Sequence, residues 1–334
     1  MPVRSRRPLH ALAALALPAA ALLALTSCAS STAGAESTDG LTPITFQASW
    51  INDAEFAGYF AAIDEGLYEE HGIELTYLPG GPNVIPESTL IAGDADIALT
   101  SPDTTVSAIE QGADLVIVGT QYQQNPLGVV SLKENGIDSP DDLVGKTVAV
   151  PDVNRVAFDA LLTLNGIDPD SVTVVPYAYD PTPLLTGEVD ATLDFVTNVP
   201  YTIEESGAEA TSFTLYDYGY KIPNDTVVVS RDTLENKREA LVAWLRASRA
   251  GWEANLADPT VYPPTFEDTW FAGTGRTLEN EIFFNTAQKP LIETPAGILS
   301  MTDATVQETI DSLALIGITA TEDMFDLSLL DELD

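Results

Sequence analysis

Cysteine and histidine are nearly absent from this chain. Among 334 residues there is one cysteine, Cys28, and there are two histidines, His10 and His71. A single cysteine excludes an intramolecular disulfide. With so few His and Cys, no Ser-His-Asp set, metal cluster or phosphate-cradling glycine motif can be assembled. Cations are also scarce: 14 Lys+Arg stand against 51 Asp+Glu, a net charge of −37. That balance argues against nucleic acid, whose phosphates need Lys and Arg. It disfavours anionic ligands at long range, although local geometry can override it. The acids do not single out a pair spaced for glycoside hydrolysis. Beyond Leu25 no apolar run is long enough to cross a bilayer.

What is present begins with a basic tip, Arg4, Arg6 and Arg7, followed by an apolar run from Leu9 to Leu25 broken by Pro18. The run is at the short edge for a span, which needs about 20 apolar residues, and it reads as an export signal. Leu25-Thr26-Ser27-Cys28 resembles the bacterial lipobox. Cys28 is therefore expected to be lipidated and to become the mature N-terminus, since stable anchoring takes about two acyl chains. The alternative is an ordinary secretory signal that contains a cysteine. Ala29 to Gly40, rich in Ser, Thr, Ala and Gly, has the composition of a flexible tether. Residues 1–27 are thus expected to be signal and 28–41 tether. The roughly 300 residues that follow are long for one core and predict two lobes.

The pattern that follows is βαβα. Ile44 to Ala48, Ile73 to Leu78, Asp96 to Thr100 and Leu115 to Gly119 read as strands. A helix is expected over Glu55 to Glu65 and another from Pro86 to Ala92, closed by Gly93. Ser101-Pro102-Asp103 and Ser139-Pro140-Asp141 are helix starts, with serine as N-cap and proline at the first position. Thr147 to Val150, Val172 to Val175 and Thr226 to Ser230 are further strands. Val156 to Leu164, Glu235 to Asn255, Leu278 to Ala287 and Thr302 to Leu315 read as helices. Leu90 to Leu99 and Leu184 to Leu193 share one plan 94 residues apart: helix end, glycine, acid, small apolar residue, aspartate, strand. The echo suggests two lobes built alike, facing each other across a cleft. Short buried strands alternating with helices indicate mainly parallel sheets.

Several stretches, in order, resemble the solute-binding proteins of ABC importers. The branch is that of thiamine-pyrimidine-precursor, riboflavin, nitrate, sulfonate and taurine binders. Trp50-Ile51-Asn52, Ala57 to Ala62, Glu65-Gly66-Leu67-Tyr68 and Gly72-Ile73-Glu74-Leu75 are similar to its first unit. Pro79-Gly80-Gly81-Pro82, Ala92 to Ala98 and Asp142 to Val150 continue the match. The resemblance implies a two-lobed α/β fold of the periplasmic-binding-protein type II class, its lobes joined by two crossover strands near Leu127–Ser131 and Pro223–Ser230. Residues 42–129 and 226–334 would form lobe 1, and residues 130–225 lobe 2. It further implies a monomeric, non-enzymatic receptor without cofactor or metal, held on the extracytoplasmic face of the membrane at Cys28. Such a receptor hands a small molecule to a permease and ATPase. Fungal relatives that synthesise the thiamine pyrimidine use His and a Cys-rich segment, which this chain lacks.

Ligands in open α/β sheets sit beyond the C-terminal ends of strands. That rule nominates Trp50, Asn52 and Phe56, then Thr100 and Ser101, then Tyr122 and Gln123 within the loop Gln121 to Asn125. In the second lobe it nominates Asp152, Asn154 and Arg155, then Asp194 and Asn198. Trp50 either stacks on a flat ring or caps the core. Ser101 is either a ligand contact or an N-cap, and Gln121 to Asn125 either lines the cleft or is a solvated loop. Arg155 either meets a ligand anion or pairs with Asp152 or Asp159, the local pair being preferred. Asp194 either accepts from an amino-bearing ligand or caps the next helix. The set is aromatic and amide-rich, which suits a flat neutral or cationic heteroaromatic such as a thiamine pyrimidine precursor or a flavin. Family relatives of the thiamine-precursor type carry Trp-x-x-Asn in the first loop. Here the Asn comes one place earlier, at Asn52. Alternatives are an alkanesulfonate, taurine or nitrate anion held at helix N-termini, or a ligand-sensing surface lipoprotein with no permease.

Overall fold

The two echoing stretches fold alike. Each helix end closes on a left-handed glycine, Gly93 and Gly187, both at φ 74°, a conformation that is cheap only without a Cβ. The aspartate after each glycine then locks its strand to a neighbour. The Asp96 N–H donates to the Thr45 carbonyl at 2.9 Å, and Asp96 Oδ2 accepts from the Thr45 N–H at 3.0 Å. Asp190 treats Thr147 the same way, at 2.8 Å in both directions. A short strand is thereby held in register by a carboxylate that mimics one more ladder pair.

The structure is a computed structural model that describes residues 40–333. The export signal, Cys28 and nearly all of the tether lie outside the described residues. Ten strands are present among the described residues: β1 (Thr42–Gln47), β2 (Ile73–Leu78), β3 (Ile97–Thr100), β4 (Leu115–Tyr122), β5 (Leu127–Leu132), β6 (Thr147–Val150), β7 (Thr173–Pro176), β8 (Ala191–Phe195), β9 (Ala210–Thr214) and β10 (Asn224–Ser230). They form two five-stranded sheets, ordered β2-β1-β3-β10-β4 and β7-β6-β8-β5-β9. The orders are the same plan. In the first sheet β2, β1 and β3 pair in parallel, and β10 runs antiparallel to both β3 and β4. In the second, β7, β6 and β8 are parallel, and β5 runs antiparallel to both β8 and β9. Each sheet is therefore mixed, with four strands sharing one direction and one opposed.

The opposed strand has a topological cause. β5 and β10 are the strands through which the chain enters each sheet from the other. A chain that leaves β4 at Tyr122 resumes as β5 at Leu127, so it starts where the neighbouring strands end. It can only run against them. The passages themselves are residues 123–126 and 215–223, rather than the expected crossover strands Leu127 to Ser131 and Pro223 to Ser230, because β5 pairs only within the second sheet and β10 only within the first. Ser139-Pro140-Asp141 opens only a 3-10 turn, Pro140–Leu143, although its capping box forms with Asp142. β9 carried no clear alternation, since only Phe213 of its five residues is buried.

Helices cover the sheets. Helix Ala57–Asp64 crosses helix Arg238–Ala257 at a glycine contact: a Cβ on Gly58 would meet the Trp252 ring at 2.1 Å, and one on Gly251 the Gly58 carbonyl oxygen at 2.3 Å. Phe46, Tyr59 and Trp244 pack beneath them with ring centroids 4.9 and 5.0 Å from Phe46. Fully buried side chains of this size are worth about 1.5–3 kcal/mol each. The second sheet has its own core around Val148, Phe158, Leu161 and Leu193. Helix Asp303–Leu315 and the turn after it serve both cores. Leu313 and Ala320 pack with the second sheet, and Val306 and Phe325 with the β4 side of the first.

Asp190→Ala leaves the Thr147 N–H without its acceptor. We expect a loss of about 1–2 kcal/mol in urea unfolding. An unchanged midpoint would contradict the locking role of the echoed aspartate.

Candidate functional site

Because four strands of each sheet share a direction, their C-terminal ends emerge together. The loops after β1, β3, β6, β7 and β8, with the starts of β5 and β10, enclose one cavity of about 540 Å³. Its first-sheet wall carries Ser49, Trp50, Ile51, Glu55, Thr100, Ser101, Asn224 and Asp225. Asn154, Tyr179, Asp194, Phe195, Asn198 and Thr202 come from the second sheet. A loop, Thr274 to Thr277, and the following helix, Leu278–Ile292, supply Arg276, Asn280 and Phe284.

The twelve nominated residues separate clearly. Trp50, Thr100, Ser101, Asn154, Asp194 and Asn198 line the cavity. Trp50 lies 5.0 Å, centroid to centroid, from Tyr179 of the opposite wall. Ser101 sits at the N-cap position but makes no capping bond, and its Oγ donates to Asp103 instead. Asn52 is turned to the core side, where its Oδ1 accepts from the Tyr77 hydroxyl at 3.0 Å. Phe56 is fully buried in the first core. Tyr122 is buried behind the wall, donates to Gln288 and supports Phe195 at 6.2 Å. Gln123 ties the chain together by donating to the Ser300 carbonyl at 2.7 Å. Gln121 to Asn125 is thus mostly buried rather than a solvated loop. Asp152 is exposed outside the cavity. Arg155 is also exposed and outside it, held by Asp159 at 2.9 Å. That ion pair takes its charge, as the local-pair reading anticipates.

Three lining residues that the strand-end rule did not nominate, Arg276, Glu55 and Asp225, carry the electrostatics, with Glu281 behind them. Arg276 is the single cation among the described lining residues, and Asp53 holds its Nη1 at 2.6 Å. Burial works against the Arg276 charge, but Asp53 and Glu281 outweigh it and keep its pKa above the ordinary value. Burial pushes the Glu281 carboxyl up to about 8, with the Asp53 charge adding to the effect. Glu55, nearly inaccessible at 4%, is raised well above the usual carboxylate range by burial and then by the charges of Asp225 and Asp53. Burial also raises Asp225 to about 6, against hydrogen bonds from Glu55 and Ser49 that lower it. On the facing wall burial raises Asp194 to about 6, while the Phe195 N–H lowers it. Tyr179 and Asp225 both have positive φ, 59° and 49°. For non-glycine residues that is sparsely populated and tends to occur where function demands it. Asn198 Oδ1 and Asn280 Oδ1 are buried at the cavity without a partner, an expense usually reserved for something that arrives later.

The wall therefore offers four aromatic rings, Trp50, Tyr179, Phe195 and Phe284, with unpaired amide oxygens and an excess of carboxyls over cations. His71, the one histidine among the described residues, is exposed and elsewhere. Among the described residues no three His, Cys, Asp or Glu side chains are grouped to hold a metal ion, and no helix is long and apolar enough to cross a membrane.

Residues 53–261 match the family model described as NMT1/THI5 like. The chain is 26% identical over 245 residues to the formylaminopyrimidine-binding protein of Halalkalibacterium halodurans, covering 72% of this chain and 73% of that protein. It is 25% identical over 225 residues to the riboflavin-binding protein RibY of Chloroflexus aurantiacus, covering 66% and 64%. A shorter stretch of 134 residues, 40% of this chain and 42% of the relative, is 31% identical to the 4-amino-5-hydroxymethyl-2-methylpyrimidine phosphate synthase of Legionella pneumophila. Among solved structures the periplasmic aliphatic sulphonate binding protein SsuA of Escherichia coli superposes with TM-score 0.62 at 15% identity, over 83% of this chain and 92% of that one. The last likeness establishes the two-lobed periplasmic-binding-protein fold.

The acid pair makes a stability prediction. Asp225 has a folded pKa near 6 against about 3.9 when unfolded. Between those values the native state binds the extra proton, so this contribution stabilises at low pH and is lost as pH rises through 6. Asparagine fits the same backbone, because Asn is among the residues that tolerate positive φ. Asp225→Asn should therefore gain in melting temperature relative to the unsubstituted protein as pH goes from 4.5 to 7. An offset independent of pH would contradict the assignment.

Proposed function

We propose that this chain, which belongs to the NMT1/THI5-like family, is the solute-binding receptor of an ABC importer for a flat, amino-bearing heteroaromatic. The ligand class is that of a thiamine pyrimidine precursor or a flavin. The observation that carries the reading is the cavity between the two sets of strand ends, flanked by Trp50 and Tyr179 and carrying Glu55, Asp194 and Asp225. Aromatic faces hold a ring by stacking, and a buried carboxylate such as Asp225 accepts from its N–H groups. The names of the formylaminopyrimidine-binding and riboflavin-binding relatives support the same class.

An anionic ligand fits the site less well. Arg276 is already neutralised by Asp53, and every further charge on the lining residues is acidic. Synthase chemistry is also poorly served, since no histidine, cysteine or lysine is among the lining residues. The rest of the reading concerns delivery. Cys28 would carry the lipid that holds the protein at the extracytoplasmic face. The two lobes would close about the passages from β4 to β5 and from β9 to β10, presenting the loaded monomer to its permease and ATPase.

Thermal-shift measurements test this directly. A specific ligand at 100 times its dissociation constant stabilises by about 2.7 kcal/mol. We expect such a shift from aminopyrimidines or riboflavin and none from taurine, alkanesulfonates or nitrate. Trp50→Ala should weaken binding about tenfold through lost stacking, while Arg155→Ala should leave it unchanged. Stabilisation by a sulfonate alone would reject the ligand class.

A further inference from the structure

The cavity floor holds two carboxyls with no cation of their own. Glu55 comes from the turn Ala54–Phe56 and Asp225 from the start of β10. They are 4% and 1% exposed, and both line the cavity. Both carboxyls face the same cavity, and the Asp225 charge adds to burial in raising Glu55. Ser49 Oγ donates to Asp225 Oδ1 at 2.6 Å. Gln121 Nε2 spans the pair, 2.8 Å from the Glu55 carbonyl oxygen and 3.4 Å from Asp225 Oδ2. Arg276 is ion-paired with Asp53, and its charge only partly offsets the burial of Glu55.

Two carboxyls this close and this dry cannot both stay ionised. The proton belongs on Glu55, because Asp225 already accepts from Ser49 and Gln121 and so is the better-solvated anion. The floor then has one O–H donor beside one carboxylate. A ligand that supplies an acceptor to Glu55 and a donor to Asp225 makes one hydrogen bond to each, both with a desolvated pair.

The geometry points to Glu55 and Asp225 as the specificity-determining pair: together they read a ligand edge in which an N–H donor lies beside a lone-pair nitrogen, the amidine-type edge of a 4-aminopyrimidine. This rests on the solute-binding reading above and names the chemistry of its ligand. A ring without the amino group leaves Asp225 buried and unanswered, and an anion meets the carboxylate directly.

Calorimetry on the whole protein tests the pair with 4-amino-5-hydroxymethyl-2-methylpyrimidine and its analogue lacking the 4-amino group. The unsubstituted protein should prefer the amino compound by about 100-fold, the scale of a hydrogen bond to a buried charge. Asp225→Gly tolerates the positive φ and removes the acceptor, and should reduce the preference to a few-fold. Glu55→Leu should weaken binding of the amino compound, and Glu55→Gln, which restores an N–H donor, should recover part of that loss. Melting curves establish that each variant is folded, and either substitution suffices if the other is not. Equal affinity for the two rings, or a preference untouched in Asp225→Gly and Glu55→Leu, overturns the assignment and leaves the solute-binding reading standing. Failure of both rings to bind the unsubstituted protein overturns this inference, and riboflavin binding in the same experiment would show that the broader reading survives it.

Discussion

Strand direction is the constraint on which this molecule depends. Once four strands of each sheet run the same way, their carboxyl ends have to emerge together, and two such sheets joined at those ends enclose a void. The chain can pass from one sheet to the other only through that region, which forces β5 and β10 to run backwards. Architecture and site are thus one consequence of one arrangement. The echoed Asp96 and Asp190 anchor the central strands whose ends form opposite walls of the cavity.

Much of this was legible in the sequence, for local reasons. Glycine at positive φ, proline after an N-cap and runs of β-branched residues fixed Pro86–Ala92 and Thr147–Val150 to the residue. The strand-end rule found Trp50, Thr100, Ser101, Asn154, Asp194 and Asn198. It failed at Asp225 for a specific reason: on an antiparallel strand the amino end, not the carboxyl end, faces the cavity. Glu55 and Phe56 show a second limit. Adjacent residues on a helical turn point about 100° apart, so Glu55 reaches the cavity while Phe56 enters the core, and no pattern of hydrophobicity decides which loop residue does which. Arg276 lies in a stretch with no periodic signal, brought to the cavity only by the packing of helix Leu278–Ile292. Asn52 and Gln123 follow strands as expected, whereas β4 runs on past the expected Gly119 to include Tyr122, and backbone and side-chain partners on the core side claim all three.

The electrostatics explain why so acidic a chain still has a selective pocket. Surface acids are screened and solvated, whereas Glu55, Asp194 and Asp225 stand where burial makes each charge expensive. A pocket that keeps such carboxyls pre-organised is poised for a guest that meets a carboxylate with a donor and a protonated carboxyl with an acceptor. Arg276, the single guanidinium among the described lining residues, is paired with Asp53 and braces the Thr274–Thr277 loop against the turn that carries Glu55. The fold is shared with a sulphonate-binding protein at 15% identity, so the architecture alone does not set the ligand.

A crystal structure of the protein soaked with 4-amino-5-hydroxymethyl-2-methylpyrimidine is the most direct test. The account predicts flat density beside Trp50 and Tyr179 with its amino edge on Glu55 and Asp225. A ring bound outside the space between the two sheets, or a cavity that stays filled only with water at saturating ligand, would contradict it.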